Sequence, residues 1–118
     1  MDNREVITKF SELVCDGTAE KIVELYNEDS YIISMEASSL ITGKLEILRY
    51  FDWFIKKDPC IDITEINEIN FDKTSIYNGF YTEFTMEATN YKRFTFVVVN
   101  SKIITMHTYI NPDPIILG

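Results

Sequence analysis

The hydrophobic period of the chain changes at Pro59, and this switch restricts the possible folds more than any other feature of the sequence. Ahead of it the spacing is helical. Val6, Phe10, Leu13 and Val14 recur at i, i+4, i+7 and i+8, one apolar stripe of a helix that should stop at Asp16-Gly17. Thr18 is placed to cap a second helix with Ala19, Ile22, Val23 and Tyr26 on its buried side. Residues 31–35 read as a short strand. Thr42 then caps a third helix over residues 43–57, with Ile47, Leu48, Phe51, Phe54 and Ile55 as its stripe and Tyr50 and Trp53 beside it. Asp58-Pro59 ends it, because the residue before a proline avoids α geometry.

Beyond Pro59 the period is two. Ile61, Ile63, Ile69 and Phe71 share one parity and Ile66 breaks it, which predicts a β-bulge that bends the sheet. Residues 80–88, 91–99 and 103–110 follow as three strands with short connections, an antiparallel meander. Helices first and strands second is an α+β layer architecture. With 118 residues and no repeat or Pro/Ser-rich linker, residues 1–118 read as a single domain.

Taking Thr89-Asn90 and Asn100-Ser101 as two-residue turns sets Phe84 opposite Thr95, Thr95 opposite Met106 and Arg93 opposite Thr108. One face then carries Thr82, Phe84, Met86, Arg93, Thr95, Val97, Ile104, Met106 and Thr108, and is expected to lie under the helices. The other carries Glu83, Thr85, Glu87, Lys92, Phe94, Phe96, Thr105, His107 and Tyr109. A slip of one residue would exchange them. Three helices cover one side of a curved sheet only. The second face, with Phe94, Phe96, His107 and Tyr109 among polar residues such as Glu83, is therefore expected to pack on another copy of the chain, with ordinary surface aromatics as the alternative.

A guanidinium on the covered face needs a partner, since an unpaired buried charge is costly. Two partners for Arg93 stay open. One is an internal carboxylate, from Glu36, Asp29 or Glu46. The other is the carboxylate of a ligand in a pocket with Trp53 or Tyr26 as its aromatic wall, and with Tyr50, Thr82, Met86 and Thr108 around it.

The formal net charge of −8 argues against nucleic acid, whose phosphates require a basic face. No apolar run approaches the ~20 residues of a membrane span, and no basic segment followed by an apolar stretch marks a secretory signal. Cys15 and Cys60 stand singly, without CxxC spacing, which predicts reduced thiols and a cytoplasmic protein. Paired metal ligands at short spacing are lacking, so no metal is expected. Neither a Gly-rich phosphate loop nor a GxSxG elbow occurs, and no cofactor is implied.

Several segments have a family likeness. Leu25-Tyr26-Asn27-Glu28-Asp29-Ser30 is like an LYxxDA entry to a first strand, and residues 42–51 are like an xGxxxIxxYF helix. Gly79-Phe80-Tyr81-Thr82, Arg93-Phe94-Thr95-Phe96-Val97, and Met106-His107-Thr108-Tyr109 with Pro114 are like GxYxF, RxTFV and VHHHSSxxP strands. In this order the chain resembles the nuclear transport factor 2-like, or SnoaL-like, superfamily. Within it, the likeness is to the association domain of calcium/calmodulin-dependent protein kinase II and its bacterial relatives. The resemblance implies a cystatin-like cone: a strongly curved mixed or antiparallel sheet wrapped around a long helix, with N-terminal helices and a pocket at the open end.

It also implies self-association, as a dimer or a ring of dimers, and puts the family's pocket arginine at Arg93. Positions of further pocket arginines carry Thr82 and Ile110. The first histidine of the VHHHSS motif is kept as His107, followed by Thr108 and Tyr109. The expected function is an oligomerisation or scaffold domain whose pocket is either vestigial or a small site for a carboxylate or hydrophobic ligand. The alternative is a cyclase or ketosteroid-isomerase-like enzyme acting on a small hydrophobic carbonyl compound. The isomerase base falls near Ser34, which cannot abstract a proton from carbon. Tyr26 or Tyr50 with Glu36 would have to serve as oxyanion donors.

Overall fold

Helix α1 (Asn3–Asp16) begins where Asp2 accepts a hydrogen bond from the Glu5 N–H while the Glu5 carboxylate accepts from the Asp2 N–H, a reciprocal capping box. The helix ends at Gly17, whose N–H donates to the Leu13 carbonyl at 2.7 Å; a Cβ there would sit 2.7 Å from the Leu13 side chain. The Thr18 hydroxyl accepts from the Lys21 N–H and opens α2 (Ala19–Val23). Helix α3 (Gly43–Ile55) has no such hydroxyl cap; instead the Thr42 N–H donates to the Glu46 carboxylate. The computed structural model describes residues 1–34, 37 and 39–110.

The strands are β1 (Tyr26–Ser34), β2 (Ile41–Thr42), β3 (Cys60–Phe71), β4 (Thr74–Phe84), β5 (Thr89–Val99) and β6 (Lys102–Ile110). They form one sheet in the order β2-β1-β6-β5-β4-β3, with β1 and β6 parallel and the other pairs antiparallel. This is the expected α+β architecture with a mixed sheet. Tyr26, expected on the second helix, instead starts β1, and β4 begins at Thr74, well before residue 80. Glu36 and Pro114 lie outside the described residues.

Two connections set the register. Asn100 and Ser101 both have positive φ, +48° and +65°, so the β5–β6 turn is the expected two-residue hairpin and Val99 faces Lys102. The β4–β5 turn is longer than expected. The Thr85 hydroxyl accepts from the N–H groups of Glu87 and Ala88, and the Thr85 N–H donates to the Ala88 carbonyl. Phe84 therefore pairs with Thr89 and not with Thr95.

Two bulges then decide the faces. Val97 pairs with Thr105 and Val98 with Ile103, leaving Ile104 as an extra residue in β6. Past that point every β6 side chain is flipped relative to β5. Met106 and Thr108 thus share a face with Phe96 and Phe94, and His107 and Tyr109 share one with Thr95 and Arg93. The predicted bulge in β3 also exists, with the shift between Ile63 and Glu65. It lets Ile66 join Ile61 and Ile63 against the core, while Ile69 and Phe71 are 56% and 54% exposed. Gly79 is required opposite it, because a Cβ there would lie 1.9 Å from the Glu65 carbonyl oxygen.

The helices pack on one face only. Phe10 of α1 meets Phe51 of α3 at 5.9 Å and Phe96 of β5 at 5.2 Å between ring centroids, and Phe96 meets Phe94 at 5.4 Å. These edge and tilted contacts form the centre of the core. Phe94 and Phe96, each 2% exposed, are therefore core residues and not the outer surface expected for them.

Cys15 and Cys60 form a disulfide between the end of α1 and the start of β3, with Cα atoms 4.2 Å apart. The expectation of separate reduced thiols is corrected, since tertiary packing joins cysteines that sequence spacing leaves apart. The bond closes a loop with a sequence separation of 45. Its loss is expected to lower stability by about 2–4 kcal/mol, through the entropy returned to the unfolded chain. Calorimetry with and without a thiol reductant should show a melting temperature lower by roughly 10 °C in the reduced sample; an unmoved transition would show that the bond contributes nothing in solution.

Candidate functional site

The covered face is polar toward the ends of β4 and β5. Lys92 and Glu83 are diagonal neighbours on adjacent strands, and the Lys92 ammonium donates to Glu83 Oε1 at 2.9 Å. Their side chains are 4% and 3% exposed, so this is a buried ion pair. Ser34 and Thr108, paired on β1 and β6, are buried on the same side. The Tyr50 hydroxyl of α3 donates to Ser34 Oγ at 3.4 Å. Tyr26 is fully buried with its hydroxyl 3.3 Å from Met106 Sδ. Burial, reinforced by the nearby Tyr50 and Tyr81, pushes the Tyr26 phenol well above its ordinary pKa, so it stays neutral.

Two cavities flank Trp53 of α3. The larger, about 400 Å³, is lined by Ala37, Ser39, Ile41, Glu46, Arg49, Tyr50 and Trp53. The second, about 330 Å³, is lined by Trp53, Lys57, Glu83, Thr85, Glu87, Ala88, Asn90 and Ile110. Both are of a size that holds a small molecule. The Lys57 ammonium lies 4.1 Å from the centre of the Trp53 ring, a cation–π contact that fixes the indole between them. The Met86 N–H donates to the Lys57 carbonyl and anchors the β4–β5 turn to the end of α3.

The expected pocket set divides. Tyr50 and Trp53 line cavities, Thr108 is buried on the covered face, and Tyr26 lies wholly in the core. Arg93, Thr82 and Met86 are not in the cone. Phe80 pairs with Arg93 on the uncovered face, Thr82 has the same parity, and Met86 is 70% exposed in the turn. The reason is the inverted parity of β4 and β5. Arg93 stacks at 4.9 Å over Phe80 and donates to the Tyr109 hydroxyl at 3.4 Å, and among the described residues it pairs with no internal carboxylate. Glu83 moves the opposite way, from the expected interface into the interior. Of the expected outer set, His107 and Tyr109 remain on the uncovered face.

Sequence reasoning gave no site role to Lys92, Tyr81 or Arg49, and named Ser34 only as the position where an isomerase base would fall. One signal was present: Glu83 and Lys92 are opposite charges with the same parity as Tyr77 and Tyr81, and as Phe94 and Phe96. Among the described residues, no cluster of His, Cys, Asp and Glu is arranged to hold a metal ion, and no helix is long and apolar enough to cross a membrane.

No protein-family profile matches the chain, and no curated protein sequence does. Solved structures do. A protein of Xanthomonas campestris described as a calcium/calmodulin-dependent protein kinase II association domain superposes with a TM-score of 0.84 at 21% identity, over 91% of this chain and 84% of that one. A protein of Streptomyces avermitilis described as a dehydratase of the nuclear transport factor 2-like family gives 0.81 at 13%, over 90% and 91%. A Caulobacter vibrioides protein with a cystatin-like fold gives 0.79 at 16%, over 98% and 95%.

Proposed function

Because the chain has the nuclear transport factor 2-like fold, a curved mixed sheet with helices on one face, we propose that it is a self-associating scaffold domain. It meets a second copy through the uncovered face. The observation that carries this reading is the composition of that face. One transverse row runs Ile69, Ile76, Val97, Thr105, Tyr31, and the next runs Asn67, Asn78, Thr95, His107, Ile33. Ile69, Tyr31 and Ile33 are 56%, 36% and 42% exposed. Ile69, Ile76 and Val97 are consecutive in the first row, and Tyr31 and Ile33 stand together on β1, apolar groups on an uncovered face of the kind that marks an interface. The likeness to a structure described as an association domain supports the same reading.

The test is the particle mass in solution. Light scattering should give a multiple of 13.8 kDa, and Val97→Asp should bring it to the single-chain mass without changing the far-ultraviolet circular dichroism. A wild-type protein that stays at the single-chain mass at high micromolar concentration sinks the reading. The bonded cysteine pair suits an oxidising compartment better than the cytoplasm expected from the sequence.

A second reading is favoured by the buried Glu83–Lys92 pair at the edge of a cavity. A carboxylate held out of water beside an ammonium is the kind of group that moves protons in an enzyme acting on a small hydrophobic carbonyl compound. Trp53 and Tyr50 would be its apolar walls, and Arg49, not Arg93, the cation available to a ligand carboxylate. Turnover of such a compound that survives Glu83→Gln undiminished would remove Glu83 from that role.

A further inference from the structure

We infer that Arg93 forms an intermolecular ion pair with the partner's Glu65, and that this pair sets the register of two copies meeting through the uncovered face. The inference rests on the self-association reading above. Glu65, Phe80, Arg93 and Tyr109 form one transverse row across β3, β4, β5 and β6, separated from the row of Ile69, Ile76 and Val97 by that of Asn67, Asn78, Thr95 and His107. Together with Asn78 and Thr95 they line a groove of about 290 Å³. The Arg93 guanidinium is positioned by Phe80 below it and by the Tyr109 hydroxyl, which uses one of its five donors. Neither Arg93 nor Glu65 forms an ion pair among the described residues, where the two pairs present are Arg4–Glu68 and Lys92–Glu83.

Geometry makes the row self-complementary. Glu65 and Arg93 flank Phe80 on either side, two strand spacings or about 10 Å apart. A two-fold interface places residue i against j and j against i. If its axis runs along β4 at Phe80, the row is reversed in the second copy. Arg93 then lies over the partner's Glu65, and Glu65 under the partner's Arg93. The two copies form two equivalent pairs, and each carboxylate can receive the guanidinium in its forked geometry. A shift of the axis by one strand would oppose like charges or leave both groups desolvated and unpaired. The charges thus select one register on a face whose apolar groups alone tolerate several.

The test is a charge exchange read by sedimentation equilibrium, with circular dichroism confirming that each exposed-site variant folds. Arg93→Glu and Glu65→Arg are each expected to raise the dimer dissociation constant at least tenfold. The Arg93→Glu/Glu65→Arg double variant should recover most of that loss, and 0.5 M salt should weaken the wild type. If the wild type never rises above the single-chain mass, the self-association reading fails and this inference with it. If the wild type assembles but the single variants assemble equally well, the patch is an interface and the pair is refuted. Two weakened single variants without recovery in the double variant also refute it. Restored thermal stability in the double variant at unchanged particle mass would show that the two groups pair within one chain, again against the inference.

Discussion

Phe96→Asp is expected to unfold the domain. In the register read from the sequence, Phe96 was an outer residue whose replacement would dissolve an assembly and spare the fold. In the structure it is 2% exposed and 5.2 Å from the Phe10 ring, where α1 rests on the sheet. Removing a buried phenyl ring costs about 3–5 kcal/mol, and an unpaired carboxylate in its place adds several more. The sum is comparable to the whole stability of a domain this size, about 5–15 kcal/mol. Urea denaturation followed by tyrosine and tryptophan fluorescence should find no folded baseline for Phe96→Asp, while Val97→Asp, on the next residue and the opposite face, should keep a cooperative transition. The reverse pattern would restore the register expected from the sequence and overturn the assignment of the two faces.

Lys92→Met should destabilise the domain by about 3–5 kcal/mol, because it leaves the Glu83 carboxylate buried without its cation. A fall in melting temperature of roughly 15 °C is the corresponding thermal result. The effect comes from the charge left behind more than from the bond removed. Glu83→Leu/Lys92→Met, which takes out both charges and retains apolar volume, should therefore recover most of the loss. A cost of less than about 1 kcal/mol for Lys92→Met is the value expected of a solvated pair and would contradict its burial. The double variant also isolates the second functional reading. It should fold, yet lose any proton-transfer chemistry that depends on Glu83.

Much of the architecture was legible because it depends on local interactions. The capping residue Thr18, the stop at Gly17 and the stripe of Ile47, Phe51 and Phe54 act within one helical turn or between neighbouring turns. The Asn100-Ser101 hairpin depends on two residues. The candidate site was less legible. Trp53 and Tyr50 were found because they flank the buried stripe of a well-read helix. Arg93 was misplaced because its strand alternates almost evenly: Lys92, Phe94, Phe96 and Val98 on one side, Arg93, Thr95, Val97 and Val99 on the other. Neither parity is clearly the polar one, so hydropathy alone cannot say which of them meets the helices.

By itself, then, the sequence determined the three helices, the α+β class, the antiparallel strands at the C-terminal end of the sheet and the β3 bulge. Only the tertiary structure decided which face the helices cover. A single extra residue, Ile104, reverses β6 relative to β5, and the Thr85–Ala88 turn displaces the pairing of β4 with β5. Each depends on where two strands meet in space. A side-chain period of two converts a one-residue shift into an exchange of inside and outside. The same holds for the Cys15–Cys60 bond and the Glu83–Lys92 pair, whose members come together only when separate elements pack.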